Sequence, residues 1–156
     1  VVYMAIYLAM TLGAFACILA LRRGRVMFED VDDLSGVART HPVLAFCLAM
    51  MMFSLAGIPP LAGFFAKFYV FAAAIQTNQF AMIALAVIGV VTSVVGAYYY
   101  LRIVKVMYFD EPRLSFEPMS GGLKVVLGIT SAVVLLFWIV PAPLVGAAGA
   151  AARSLF

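Results

Sequence analysis

The sequence predicts an all-α, polytopic transmembrane helix bundle of four spans, the second of them broken at Gly57–Pro60. Three observations carry this expectation. The 156 residues are 67% hydrophobic and 11% charged, against about 45–50% and about 25% in a soluble domain. The charges cluster and leave long neutral stretches, and a helical crossing needs about 20 apolar residues. One such stretch carries Gly57-Ile58-Pro59-Pro60 near its middle and a single charge, Lys67, beyond it.

The first span is read over residues 2–21 and ends at Arg22-Arg23-Gly24-Arg25. Val1-Val2-Tyr3-Met4 already belongs to it, without a basic n-region or a cleavage site, so it is not a signal peptide. The chain, a single domain over 1–156, reads as a fragment that starts inside or at the mouth of a helix. The second span covers 42–75. At 33 residues from Val43 to Ile75 it is too long for a simple perpendicular crossing at about 1.5 Å per residue. The third span covers 80–108. The fourth covers 123–140 and is stopped by Pro141-Ala142-Pro143. The Ala/Gly tail 144–156 is too short and too weakly apolar for a fifth crossing.

Three connections separate the spans. Residues 22–41 carry Arg22, Arg23, Arg25 and Arg39 against Glu29, Asp30, Asp32 and Asp33. Residues 76–79 are short, polar and uncharged. Residues 110–122 carry Asp110, Glu111, Arg113 and Glu117, flanked by Arg102, Lys105 and Lys124. Eight of the ten basic residues therefore fall at one membrane face. The positive-inside rule makes that face cytoplasmic and sends both chain ends outward. The net charge of +3 forms no patch and gives no reason to expect nucleic-acid binding. Cys17 and Cys47 lie in apolar runs without a C-x-x-C partner, which reads as two buried core thiols rather than a metal site.

Lys67 is the residue most suited to chemistry. A charge in the hydrocarbon costs about 2.5–3.5 kcal/mol on insertion scales, and such residues mark ion or proton pathways. It lies nine residues before Gln76, roughly 13 Å from the outer helix end, which is far for a lysine to snorkel. Gly63, one turn earlier, is expected to leave room beside the ammonium, and Phe64, Phe65, Phe68 and Phe71 to form a dry wall. Holding an amine away from water favours its neutral form and makes reversible protonation possible. Pro59 and Pro60 remove two backbone donors, so carbonyls near 53–57 lose helical partners. The bland alternative is a packed proline kink; the functional one is a discontinuous helix lining a hydrated half-channel.

Other polar residues are weaker candidates. His41 precedes Pro42, so Thr40 or His41 caps the second span, or the imidazole marks the inner mouth of a path. Tyr98-Tyr99-Tyr100-Leu101-Arg102 has the form of an interfacial belt. Tyr69, Thr92 and Ser93 are candidate polar steps, with helix packing as the plain explanation for Thr92-Ser93. Met50-Met51-Met52 reads as packing filler. No phosphate loop, nucleophile–base pair or metal-ligand cluster is visible in the sequence.

The run Ser54-Leu55-Ala56-Gly57-Ile58-Pro59-Pro60-Leu61-Ala62-Gly63-Phe64-Phe65-Ala66-Lys67-Phe68-Tyr69-Val70 resembles the signature of the antiporter-like family. That family includes three membrane subunits of the proton-pumping NADH:quinone oxidoreductase and relatives in sodium/proton antiporters. Tyr7 with Thr11-Leu12-Gly13-Ala14-Phe15, Arg39-Thr40-His41-Pro42, and Tyr98-Tyr99-Tyr100-Leu101-Arg102 are similar to the bacterial redox-driven branch. The resemblance implies a fourteen-helix plan of two inverted repeats, each with a broken helix, of which this chain matches the last four helices. It places Lys67 on the lysine of the second broken helix, at the exit side of the proton path. The first-repeat glutamate and lysine, and the central lysine, have no counterpart here. It implies no cofactor in this chain, with NADH, FMN, iron–sulfur clusters and quinone in other subunits. The implied partners are neighbouring antiporter-like and small membrane subunits and lipids, in a bacterial inner membrane. A cation/proton antiporter without redox chemistry is the alternative.

Overall fold

The computed structural model describes residues 2–23, 26–28, 30–113 and 116–153. Arg25 and Glu29, which the charge count uses, lie outside them. Among the described residues the regular structure is helical apart from one antiparallel ladder of two-residue strands. Helix α1 spans Val2–Leu19. Strands β1 (Arg22–Arg23) and β2 (Val26–Met27) pair next. A 3₁₀ turn at Val31–Leu34 and the single-turn helix α2 (Val37–Thr40) follow. Then come α3 (Pro42–Ala56), α4 (Ala62–Gln76), α5 (Phe80–Phe109), α6 (Gly121–Leu136) and α7 (Ala142–Arg153).

Among the described residues two helices, α1 and α5, are each long and apolar enough to cross a membrane by length and composition. Helices α3 and α4, at 15 residues each, follow one another across a five-residue interruption at 57–61. Helix α6 has 16 residues, fewer than the 123–140 span expected. Pro141 disfavours helical backbone at Val140, and its influence reaches back. The chain tightens into a turn over 137–139, with the Ile139 and Val140 N–H groups both donating to the Leu136 carbonyl at 3.0 Å. The tail, read as weakly apolar, folds as the 12-residue α7.

Helix α1 shares the centre of the bundle with α3. It packs on α3, α4 and α6, while α5 packs on α3 and α4. Its buried residues Ile6, Met10, Gly13, Ala14 and Cys17 recur at helical spacing. Gly13 has no side chain for a reason: a Cβ there would stand 2.5 Å from Met51 Cε and 2.8 Å from Thr130 Oγ1. Small residues at such crossings let membrane helices approach closely. Cys17 is buried, but Cys47 is only half-buried, because it faces a groove between α3 and α6 rather than the core.

The connections 22–41 and 110–122 meet at one end of the bundle. The Gly36 N–H donates to the Val106 carbonyl, and the Glu117 N–H to the Arg22 carbonyl, both at 3.1 Å. Arg39 pairs with Glu111 at 2.9 Å. Gly36 sits at φ +66°, and a Cβ there would run into Pro112. The first connection is thus a built structure held against the third.

Candidate functional site

The site grows out of the break. Helix α3 ends in a Schellman arrangement. Gly57 adopts φ +91°, a left-handed conformation that glycine takes without steric cost. Its N–H donates to Ser54 O (3.0 Å) and Phe53 O (3.1 Å), and the Ile58 N–H donates to Phe53 O (3.0 Å). Two further carbonyls at the helix end, Leu55 and Ala56, remain to be met. Pro59 and Pro60 have no N–H to offer. Lys67 meets both: its Nζ donates to Leu55 O at 2.9 Å and to Ala56 O at 3.2 Å. A cation here also faces the negative end of the α3 dipole.

Helix α4 begins with the reverse problem. Leu61, at its cap position, has no side-chain acceptor. The acceptor comes from α3: Ser54 Oγ takes the Gly63 N–H at 2.9 Å. The Ser54 hydroxyl donates in turn to Met10 Sδ at 2.9 Å. Each half-helix therefore carries the polar group that closes the other.

Lys67 is half-buried and lies between two cavities. One, of about 600 Å³, is an apolar groove between α4 and α5 walled by Phe64, Phe68 and Phe71. The other, of about 240 Å³, lies between α1, α4 and α5 and includes Tyr3, Tyr7, Thr92 and Tyr100. Lys67 and Ser93 line both.

The structure sorts the expected site residues. Gly57, Pro59 and Pro60 form the break, and Lys67, Thr92 and Ser93 share the smaller cavity. Gly63 lines it too, but the room beside the lysine stem belongs to Gly57. A Cβ on Gly57 would stand 3.3 Å from Lys67 Cδ. A Cβ on Gly63 would instead strike the Ser54 carbonyl, so Gly63 serves the close approach of α3 and α4. Phe65 leaves the dry wall and packs on Phe137. Tyr69, two positions after Lys67 and so roughly 200° around the helix, is exposed and lines neither cavity. Thr92 Oγ1 bonds back to the Ile88 and Gly89 carbonyls. His41 sits at the far end of α3, roughly 22 Å from the break. Its Nε2 bonds the Phe116 carbonyl and its Nδ1 the Thr40 hydroxyl, both at 3.0 Å. It joins the two connections rather than the Lys67 cavities. The sequence reading passed over Ser54. The signal for it was indirect: a helix starting after two prolines and a leucine needs an acceptor from elsewhere.

Known proteins are similar to this chain in sequence and fold. The transmembrane family described as NADH:quinone oxidoreductase/Mrp antiporter matches residues 1–96. NADH-quinone oxidoreductase subunit N of Methylobacterium nodulans is 74% identical over 100% of this chain and 32% of its own length. The subunit N of Paramagnetospirillum magneticum is 53% identical over 99% of this chain and 31% of its own. The chain thus spans about a third of the curated relatives it matches. Among solved structures, a chain of respiratory complex I from Thermus thermophilus with bound aureothin superposes with a TM-score of 0.73 at 30% identity, over 90% of this chain and 31% of that one. With its helix break, its lysine and a family match over residues 1–96, the chain belongs to the NADH:quinone oxidoreductase/Mrp antiporter transmembrane family.

Proposed function

We propose that this chain is part of a proton-translocating membrane subunit of NADH:quinone oxidoreductase and that Lys67 carries the proton. One observation carries the reading: the Lys67 ammonium rests on the two freed carbonyls of a helix break, on the boundary between two cavities. A group so placed can take a proton from one side and give it to the other. The relatives, named as subunit N, support the choice of host complex.

In this reading quinone reduction occurs in other subunits, which hold NADH, FMN, iron–sulfur clusters and quinone. This chain binds none of them and supplies a protein-lined step for the proton. Its neighbours are antiporter-like and small membrane subunits of the same complex, and lipids. The clasp between the two basic connections supports a common face for residues 22–41 and 109–122. The positive-inside rule makes that face cytoplasmic and both chain ends periplasmic, in a bacterial inner membrane. Lys67 then stands in the outer half of the broken span.

The test uses the full-length subunit in its assembled complex, in vesicles energised with NADH. Lys67→Ala should lower proton pumping strongly, with NADH oxidation falling alongside where coupling is tight. Lys67→Arg keeps a charge that is effectively permanent and should also impair pumping. Normal assembly with normal pumping in Lys67→Ala would overturn the assignment.

A further inference from the structure

We propose that Ser54 is the positioning residue for Lys67: its buried hydroxyl fixes where α4 begins and thereby sets the ammonium on the Leu55 and Ala56 carbonyls. The inference rests on Lys67 as the proton carrier.

Ser54 is fully buried in the apolar α3. A serine in such a helix ordinarily bonds back to the carbonyl four residues earlier. This one gives its single hydrogen to the thioether of Met10, a weak acceptor. That choice aims its lone pairs at α4, where the Gly63 N–H arrives at 2.9 Å. The hydroxyl orientation is therefore set by α1 and used by α4.

The contacts close a ring. Gly63 is the second residue of α4. Lys67 lies four residues further, one turn on and on the same face. The carbonyls that Lys67 reaches belong to the two residues directly after Ser54. Ser54 to Gly63, one turn of α4, Lys67, and back to Leu55 and Ala56 is a circuit with no slack. A register slip of one residue would turn α4 by about 100° and break both polar contacts together. Steric fit enforces the same register, since a Cβ at Gly63 would strike the Ser54 carbonyl and stand 3.0 Å from Met10 Sδ.

The test compares Ser54→Ala, Ser54→Thr and Lys67→Ala in the full-length subunit within its complex. Proton pumping is read per assembled complex. Ser54→Ala should assemble at the wild-type level and pump at least fivefold more slowly. Ser54→Thr restores the hydroxyl and should pump within twofold of wild type. Pumping within twofold of wild type in Ser54→Ala, with Lys67→Ala inactive, would overturn the positioning role and leave the lysine reading standing. Equal impairment of the alanine and threonine variants would overturn it as well, since the hydroxyl would then not be what matters. Loss of assembly in Ser54→Ala would assign the serine to stability alone. Normal pumping in Lys67→Ala would instead overturn the carrier reading on which the inference rests.

Discussion

Residues 42–76 and α5 are two apolar stretches of similar length, but only the first carries prolines in its interior, and it is broken where the other is continuous. In α5 the backbone satisfies itself over Phe80–Phe109, and even the Thr92 hydroxyl folds back onto the helix carbonyls. Across 57–61 the backbone cannot do this. Two of the carbonyls that close α3 are met by a lysine and one amide of α4 by a serine. In lipid an unmet backbone group costs several kcal/mol. A span can therefore be interrupted where other groups replace the missing partners, and here two side chains complete what the turn's own backbone leaves unmet. The lysine serves the break, and the break serves the lysine, through the same two hydrogen bonds.

That contrast can be broken most forcefully at Gly63. Gly63→Ala drives a methyl into the Ser54 carbonyl, a backbone atom that cannot swing aside. It should cost about 3 kcal/mol, the upper part of the overpacking range. The amount of intact complex on a native gel should fall sharply, and wild-type levels would mean that the halves are not packed as described. A smaller effect is expected at Gly57, where φ is +91° and a Cβ would sit 3.3 Å from the lysine stem. Left-handed backbone costs an L-residue about 1–2 kcal/mol. Gly57→Ala should assemble but melt earlier in a thermal scan of the purified complex; an unchanged midpoint would argue against the Schellman ending. The smallest effect belongs to the unbroken span. Thr92→Val loses only an exposed back-bond, and stability should stay within about 0.5 kcal/mol of wild type in the same scan. A larger change would show that α5 too depends on a side chain to complete its backbone.

The break was legible in the sequence because Pro59 and Pro60 act locally: a missing donor is missing in any fold. Lys67 was legible for a similar reason, as the one charge in a neutral run. What meets the freed carbonyls was not legible, since their partner Lys67 stands 12 residues from Leu55 and 11 from Ala56, and its reach depends on how α4 swings after the turn. Ser54 was hidden for the same reason, with partners 9 and 44 residues distant. Gly63 was expected beside the lysine stem because helical spacing alone put it on the lysine's face, whereas the fold turns Gly57 toward that stem. Helix α6 stops at Leu136 although apolar residues continue to Val140, because the backbone already responds to Pro141.

The count of hydrogens at Lys67 has a consequence for the proposed relay. An ammonium owns three N–H bonds, and two of them go to the Leu55 and Ala56 carbonyls. When the third proton leaves, the neutral amine still owns two, one for each carbonyl, and gains a lone pair where the proton had been. Loaded and empty, the site leaves neither of these oxygens stranded. The lysine can cycle while the helix ends stay as they are, and no backbone rearrangement is demanded at each turnover.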